Sequence, residues 1–298
     1  MEIKSLQYLQ YFVAAADSKS FTAAAEQLRV SQPSLSEGIR RLELDAMAPL
    51  FRRVGRGVVL TEPGAQLLVH ARRILQDVAD AGNSMKATRG LESGEVSIAA
   101  PPGLSVEPLT SLIGAFRVRF PGVTFSLYPA DDGNRAVDAV RAGLCEVGIV
   151  DRHIKTSDLA SHFLRNNEIV LVSPPGVGST EPVASHELAG RPFITSHRGT
   201  RTRALLDRIR ESGVDIPVVV ETPHREAVVP LVLAGVGSAF LTGDIAADAQ
   251  RRGATVQHMS PEITYAVHLI HLAPQLTRAG SAFIEFALHH REQHLAVP

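Results

Sequence analysis

The chain has 298 residues, 45% of them hydrophobic and 20% charged, which is the composition of a soluble globular protein with room for two or three domains. Its formal net charge of −1 gives no support for a nucleic-acid partner from overall charge alone. The sequence shows no apolar run of about 18 residues, no secretory signal pattern and only one cysteine, Cys145, so we expect a cytoplasmic protein without disulfides.

The first sixty residues predict three short helices in succession. Apolar residues recur at helical spacing over 6–16, and Ser20 is a suitable N-cap for a second helix over 21–28. After a short turn, Ser31 can cap a third helix with Pro33 in its first turn, where the missing amide hydrogen costs nothing. Eight basic and six acidic residues give this segment a charge of 8 − 6 = +2, a weak electrostatic preference for DNA.

The third predicted helix has one apolar and one polar face. Leu35, Ile39 and Leu42 form the apolar stripe, which leaves the polar side free to enter a DNA major groove. A predicted hairpin at 49–60 follows, and its arginines suit contact with the DNA backbone. The predicted DNA-binding residues are Ser31, Gln32, Pro33, Ser34, Ser36, Arg40, Arg41, Arg52, Arg53 and Arg56. The alternative for this segment is a helical module for oligomerisation or protein binding.

A long helix is predicted from about residue 61 to 88. Six of its residues are spaced 4, 3, 4, 3 and 4 positions apart, which is the a/d seam of a helix that pairs with another helix. The predicted dimerisation residues are Leu67, Ala71, Ile74, Val78, Ala81 and Met85. The alternative is that this helix packs on its own domain.

The hydrophobic period changes after a linker at 90–94. Short β-prone runs then alternate with helical ones, which indicates βαβ units on a mostly parallel sheet. The predicted strands are 96–99, 123–128, 146–150, 168–173, 193–195, 218–221, 239–241 and 265–271. The predicted helices are 106–120, 134–142, 202–212, 226–234 and 278–290.

Several motifs together resemble those of LysR-type transcriptional regulators. In the N-terminal part they are LQYFVAA at 9–15, SFTAAAEQL at 20–28, VSQPSLS at 30–36, IRRLE at 39–43, PLFRR at 49–53 and LTEPG at 60–64. Two weaker similarities are VRAGLCEVGI at 140–149 and LAGVGSAFL at 233–241. The resemblance therefore spans essentially the whole chain.

The resemblance implies an α+β multidomain protein. It divides the chain into a winged helix-turn-helix at 1–61, a long linker and dimerisation helix at 62–90, and an effector-binding regulatory domain at 91–298. The regulatory domain would have two α/β lobes like a periplasmic binding protein, with lobe one at about 94–160 and 266–298 and lobe two at about 161–265. The implied partners are double-stranded operator DNA, a small-molecule effector, further copies of the chain in a homodimer or dimer of dimers, and RNA polymerase, but no membrane.

Three positions depart from the family pattern or from ordinary helix chemistry. Glu37 stands where the family often has a basic or neutral polar residue, and a carboxylate that faces phosphates would cost affinity unless it accepts a hydrogen bond from a cytosine amino group. Gly38 weakens the helix by about 1 kcal/mol relative to alanine, and close packing is one reason for its presence. Thr242 stands where the family commonly has proline.

Ligands of open α/β folds lie beyond the carboxyl ends of strands, near helix N-termini. The predicted effector-binding residues are Pro102, Gly103, Ser105, Gly133, Asn134, Arg152, Ser196, His197, Thr200, Thr202 and His224. The same loops contain Asp151 and Gly199. Hydroxyls, imidazoles and helix N-terminal amides suit a small carboxylate or a similar anion, whereas the alternative at each Ser or Thr is simple helix capping.

Catalytic motifs such as a Gly-x-Ser-x-Gly elbow or a Walker loop are absent, so we expect neither an enzyme nor a cofactor. We expect no metal site, because His268 and His271 face opposite sides of one strand and the histidines at 289–294 resemble a solvated tail, with weak metal binding as the alternative for that tail. Cys145 is interpreted as a packing residue, with sulfenic acid formation as the alternative. The rival functions are a solute-binding protein or enzyme with a helical extension, and an architectural DNA-binding protein without a ligand.

Overall fold

The computed structural model describes residues 5–55, 57–86, 93–273 and 276–295, with the backbone alone at 76, 79–86 and 291–295. The N-terminal part contains three helices, an antiparallel hairpin and a long fourth helix. These elements are α1 (Leu6–Ser18), α2 (Phe21–Gln27), α3 (Gln32–Ala46), β1 (Phe51–Val54), β2 (Gly57–Leu60) and α4 (Glu62–Lys86). The predicted helices and hairpin of this part are confirmed.

The helix-turn-helix is held together by caps and by a small apolar core. The side chains of Ser20 and Ser31 accept hydrogen bonds from the backbone amides three residues further on, at 3.3 and 3.2 Å, and so fix the starts of α2 and α3. Leu35, Ile39 and Leu42 of α3 are buried against α1 and α2. Because this apolar face is buried, the opposite face of α3 points outward.

At Gly38, α3 packs closely against α1. A Cβ atom added there would lie 2.7 Å from Cδ2 of Tyr11 and 2.9 Å from Cδ1 of Tyr8. The two helices are therefore closer than a side chain at this position would allow, which explains a glycine inside a helix.

Part of the predicted dimer seam packs on its own chain. Ala71 is fully buried in a cluster with α1, and Leu67 and Ile74 pack partly on the same cluster. Ala71 therefore offers no surface to a partner helix, whereas Val78, about two turns further, is 47% exposed. The remaining two seam residues, whose side chains lie outside the described part of the chain, are Ala81 and Met85.

Two α/β lobes follow, joined by two long strands. Lobe one begins with β3 (Gly94–Ala100), α5 (Pro102–Val106), α6 (Leu109–Arg119), β4 (Val123–Pro129), α7 (Gly133–Arg141) and β5 (Val147–Val150), and the chain leaves it along β6 (Leu159–Ser173). Lobe two contains β7 (Val183–Ala184), β8 (Phe193–Ser196), α8 (Arg201–Glu211), β9 (Val218–Thr222), α9 (Val228–Leu233), β10 (Ala239–Thr242), α10 (Gly243–Arg251), β11 (Thr255–Gln257) and β12 (Met259–Ser260). The chain returns along β13 (Ile263–Leu272) to α11 (Arg278–Leu295), which packs on the lobe-one core.

The strands β6 and β13 form the spine of a seven-stranded sheet. Its strand order is β10-β6-β13-β5-β3-β4, with β11 also paired to β6. Parallel pairing occurs within the lobes, between β3 and both β4 and β5 and between β8 and β9. The predicted parallel sheet is therefore right inside each lobe and wrong at the crossover, where β6 and β13 pair antiparallel with their neighbours.

Other elements differ from the prediction for local reasons. The predicted helix 106–120 begins three residues later, as α6 at Leu109 with Pro108 at its N-cap, and the separate short helix α5 precedes it. The strand β6 is longer than predicted, since polar side chains in its first half hide the strand pattern. The helix α11 continues to Leu295, past the predicted end at 290, so the histidines at 289–294 lie on it, and His289 is exposed. None of the helices in the described ranges combines the length and apolar character that a membrane span requires.

Candidate functional site

The start of α3 presents a row of polar side chains to solvent. Ser31, Gln32, Pro33 and Ser34 are exposed, and Ser36 is partly exposed. The hydroxyl oxygens of Ser31 and Ser34 lie 2.7 Å apart, and Gln32 Nε2 donates a hydrogen bond to Ser36 Oγ at 2.8 Å. These bonds orient the row while the buried face of the helix anchors it.

Glu37 forms an ion-pair cluster with the two arginines of the next turn. Arg40 donates hydrogen bonds to both carboxylate oxygens of Glu37 at 2.8 and 2.9 Å, and Arg41 donates one at 3.0 Å. The hydrogen bonds from Arg40 and Arg41 lower the pKa of Glu37 to about 2, so the carboxylate is ionised at neutral pH. Glu37 therefore neutralises part of the positive charge on this face and holds both arginines in place.

The hairpin carries exposed arginines on a firmly anchored strand. Arg52 and Arg53 of β1 are exposed, whereas the ring centroid of the neighbouring Phe51 lies 5.3 Å from those of both Phe12 and Phe21. The aromatic contacts fix the hairpin to α1 and α2. Arg56, also predicted to bind DNA, lies outside the described residues.

A cleft separates the two lobes, and helix starts from both lobes face it. Lobe one contributes the starts of α5 and α7 and the loop after β5, and lobe two contributes the start of α8, the 3₁₀ turn at 225–227 and the end of β10. Two cavities of about 60 Å³ each lie in the cleft. The residues that line both cavities are Gly103, Thr202, Arg225 and Thr242.

An ion pair joins the lobes across the cleft. Asp151, which follows β5, accepts a hydrogen bond on Oδ2 from Nε of Arg201, the first residue of α8, at 2.7 Å. The backbone carbonyl of Asp151 accepts a second hydrogen bond from the same guanidinium at 3.0 Å. The carbon at the centre of that guanidinium also lies 4.8 Å from the ring centroid of Tyr265 on β13. Arg201 thus connects lobe two to lobe one and to the crossover strand.

Three buried polar atoms of the cleft have no hydrogen-bond partner among the described residues. They are Nε of Arg225, Oγ1 of Thr242 and Oδ1 of Asp151. Burial lowers the pKa of Arg225, and within the described ranges no carboxylate pairs with it. A buried polar group without a partner costs about 1–3 kcal/mol and more when charged, so these atoms are suited to receive a bound polar molecule.

Fewer than half of the predicted effector residues line the cleft. The five that do are Gly103, Gly133, Ser196, Thr200 and Thr202. Thr200 is also the N-cap of α8, since its hydroxyl accepts a hydrogen bond from the amide of Arg203 at 3.3 Å. The capping alternative therefore applies to Thr200 in addition to its place in the cleft.

The other predicted effector residues lie outside the cavity lining, and they are Pro102, Ser105, Asn134, Arg152, His197 and His224. Ser105 donates a hydrogen bond to the carbonyl of Pro102, and Asn134 accepts one from Arg152. The side chain of His224 is 73% exposed and lies 3.4 Å from Glu226. The rule that ligands lie beyond the carboxyl ends of strands predicts these loops, but it does not predict which side chain in each loop faces the cleft. In the loop that contains His224, the side chain that lines the cleft is that of Arg225.

Sequence reasoning missed four residues that shape the cleft, namely Arg201, Arg225, Thr242 and Tyr265. The sequence did mark Thr242 as unusual, because this position commonly holds proline in the family and here places a hydroxyl at the end of β10. Arg201 and Arg225 lie at predicted helix starts, but the prediction named the hydroxyl and imidazole side chains next to them. Tyr265 lies on a crossover strand, which the rule does not consider.

The remaining reactive side chains lie away from the cleft. Cys145 is buried, and this burial raises the pKa of its thiol to about 12, in agreement with a packing role. His271 stacks on His162, with their Nε2 atoms 3.1 Å apart, whereas His268 contacts Ser161 on the opposite face, as predicted. Within the described part of the chain, no group of three potential ligands could hold a metal ion.

Two family patterns match the chain and together cover most of it. The bacterial regulatory helix-turn-helix protein pattern of the lysR family matches residues 6–65. The LysR substrate binding domain pattern matches residues 89–292.

Relatives and solved structures agree with these matches. The HTH-type transcriptional regulator CbbR of Rhodospirillum rubrum is 29% identical over 240 residues, which cover 80% of this chain and 80% of CbbR. Full-length OxyR from Pseudomonas aeruginosa has the same fold, with a TM-score of 0.72, 20% identity and coverage of 98% of this chain and 96% of that one. Full-length CbnR in complex with its target DNA gives a TM-score of 0.65 at 22% identity, with coverage of 96% and 99%.

Proposed function

The chain belongs to the LysR family of bacterial regulatory helix-turn-helix proteins, and on that basis we propose that it binds operator DNA as a homo-oligomer and switches transcription when a small carboxylate enters the interlobe cleft. Membership makes it a DNA-binding transcriptional regulator with an effector-binding domain, and not an enzyme. We place its action in the cytoplasm, where operator DNA lies.

The outward polar face of α3 is the observation that supports the DNA-binding part. Its first turn holds hydroxyl and amide groups that suit base edges, and its second turn holds the arginine pair beside Glu37. Arg52 and Arg53 on the anchored hairpin supply charge for the phosphate backbone. CbnR, solved with its target DNA, has the same fold.

We further propose that the three predicted segments have separate roles. Residues 1–61 bind DNA, 62–90 link and pair the subunits, and 91–298 sense the effector. In this arrangement Val78 and the exposed parts of Leu67 and Ile74 contact the partner helix, because Ala71 is already buried within its own chain.

The carboxylate part of the proposal is supported by the guanidinium of Arg225, whose Nε has no hydrogen-bond partner within the described part of the chain. The side chain lies between the lobes and lines both cavities, and the unpartnered hydroxyl of Thr242 lines them as well. A carboxylate forms strong charge-assisted hydrogen bonds with a guanidinium and would satisfy both groups at once. Cavities of this size favour a ligand with few non-hydrogen atoms.

Fluorescence anisotropy with a labelled duplex from the DNA that flanks this protein's gene tests the DNA-binding part. For 6–10 phosphate contacts we expect affinity to fall by roughly 10³-fold or more between 50 and 200 mM salt. Arg52→Ala should weaken binding about tenfold, at a cost typical of a lost charged contact. The control is Arg208→Ala, an exposed arginine of lobe two, which should leave binding unchanged. Failure of the wild-type chain to bind duplex at any ionic strength would overturn the proposal.

Thermal unfolding with a panel of small carboxylates tests the effector part separately. A carboxylate present at 100 times its Kd should add about 2.7 kcal/mol to the free energy of unfolding. If carboxylates leave the unfolding temperature unchanged while DNA still binds, the effector part is wrong and the regulator part stands.

A further inference from the structure

The charges that line the interlobe cleft are divided between its two walls. Lobe one contributes the carboxylates of Asp131, Asp132 and Asp151, and lobe two contributes the guanidiniums of Arg201 and Arg225. One wall is therefore acidic and the facing wall basic. A ligand that lies across the cleft meets a different electrostatic environment at each end.

Internal contacts already use some of these groups. Asp132 caps α7 by accepting a hydrogen bond from the amide of Arg135 at 2.9 Å, and Arg201 is paired with Oδ2 of Asp151. Among the described residues, the buried charged-group atoms of the cleft that still lack a hydrogen bond are Nε of Arg225 on the basic wall and Oδ1 of Asp151 on the acidic wall, whereas Asp131 is exposed to solvent. The second cation facing Oδ1 is Arg152, whose nearest nitrogen lies 3.6 Å away, beyond hydrogen-bond length.

We infer that the ligand of this cleft is a small zwitterion of the α-amino acid type. Its carboxylate binds Arg225 and Thr242 of lobe two, and its ammonium group donates a hydrogen bond to Oδ1 of Asp151 in lobe one. This inference rests on the proposed function, because it specifies the chemistry of the effector that the cleft binds. It goes further in requiring a hydrogen-bond donor at the acidic wall.

The two atoms without a hydrogen bond impose opposite requirements, which is why a simple carboxylate is a poorer fit. A carboxylate without an amine would bind Arg225 and leave Asp151 Oδ1 buried without a hydrogen bond, and an amine without a carboxylate would do the reverse. A site built to hydrogen-bond a substrate group discriminates strongly against the analogue that lacks it. The discrimination between amino acid and carboxylate is therefore the property to measure.

Titration calorimetry on the full-length protein makes this measurement. The probes are the twenty common α-amino acids, and each binder is compared with its counterpart without the amine, such as propionate for alanine or glutarate for glutamate, and with the counterpart without the carboxylate. We expect at least one amino acid to bind, and each of its two counterparts to bind at least tenfold more weakly.

Two variants assign the two ends of the ligand. Arg225→Gln should abolish binding, and its melting temperature without ligand should not fall, because a buried unpaired charge is removed. Asp151→Asn should weaken binding of the amino acid and lower the ratio of its affinity to that of the amine-free counterpart towards one. General damage to the cleft would weaken both ligands and leave this ratio unchanged. The matched controls Arg208→Gln and Asp215→Asn change exposed residues of lobe two and should bind like the wild type.

The outcomes separate this inference from the proposed function. If amine-free carboxylates bind as tightly as amino acids and still require Arg225, the zwitterion is wrong and the carboxylate effector stands. If neither set binds, both are wrong for this cleft, whereas DNA binding is judged independently. If the preference for amino acids is unchanged in Asp151→Asn, the assignment of the ammonium group is wrong.

Discussion

Arg72 of α4 donates a hydrogen bond to the backbone carbonyl of Ala142, at the end of α7, at 3.1 Å. The same guanidinium forms an ion pair with Asp17 of α1. Since α7 begins at Gly133 in the interlobe cleft, its two ends face the cleft and the linker helix. One side chain thus connects the helix-turn-helix to the helix whose other end lines the ligand cavity.

Arg72→Ala should uncouple these two parts without disabling either. We expect ligand affinity and DNA affinity each to stay within about threefold of wild type, because Arg72 lies in neither site. The change in DNA affinity caused by the ligand should become smaller in this variant. A ligand acts on a distant site only through contacts that differ between the two states of the protein, and the contacts of Arg72 join the two parts. Anisotropy with and without ligand measures this change, and the neighbouring exposed residue provides the control, Arg73→Ala. An undiminished ligand effect in Arg72→Ala would show that coupling takes another route.

Glu37→Gln should strengthen DNA binding and make it more sensitive to salt. The carboxylate, with a pKa of about 2, is charged at neutral pH and holds both Arg40 and Arg41. Its removal frees the arginines for phosphates, so the slope of log affinity against log salt should steepen by about one unit. Glu211→Gln changes the net charge equally, far along the chain in lobe two, and should leave the slope alone. Weaker binding by Glu37→Gln at every salt concentration would mean that the carboxylate itself contacts a base.

The N-terminal part could be predicted from the sequence because its determinants are local. Ser20 and Ser31 each bond to an amide three residues away, and Leu35, Ile39 and Leu42 lie at helical spacing. Capping and helical periodicity depend on residues that are close in sequence, so both can be predicted from the sequence alone.

The cleft was harder to predict because its key contacts join residues distant in sequence. Asp151 and Arg201 are 50 positions apart, and no local sequence pattern around either residue predicts their ion pair. Arg225 is adjacent to the predicted His224, but only the tertiary fold determines which of the two side chains is buried. Loop positions follow from the βαβ rule, whereas side-chain direction within a loop does not.

Gly38→Ala should destabilise the protein even though alanine is the better helix former. The new methyl group would meet the rings of Tyr8 and Tyr11 at less than 3.0 Å, and overpacking of this kind typically costs about 1–3 kcal/mol, against about 1 kcal/mol gained in helix propensity. The control is Gly114→Ala in α6, where nothing lies within 4 Å of an added Cβ, and a gain of about 0.5–1 kcal/mol is expected. Thermal unfolding of both variants decides the matter. Equal stabilisation by both would show that α1 and α3 are less tightly packed.

Cys145 should react very slowly with alkylating reagents and peroxide in the folded protein. A thiol pKa of about 12 in place of 9.0 lowers the reactive thiolate fraction at pH 8 roughly a thousandfold. Since the folded state holds the proton more tightly, stability should be unaffected below pH 9 and fall as the pH rises from 9 towards 12. Iodoacetamide labelling followed by mass spectrometry measures the rate, with the chain in guanidinium chloride as the reactive reference and Cys145→Ser as the blank. Rapid native labelling at pH 8 would contradict the packing role and favour redox sensing, because only an accessible thiolate reacts at that rate.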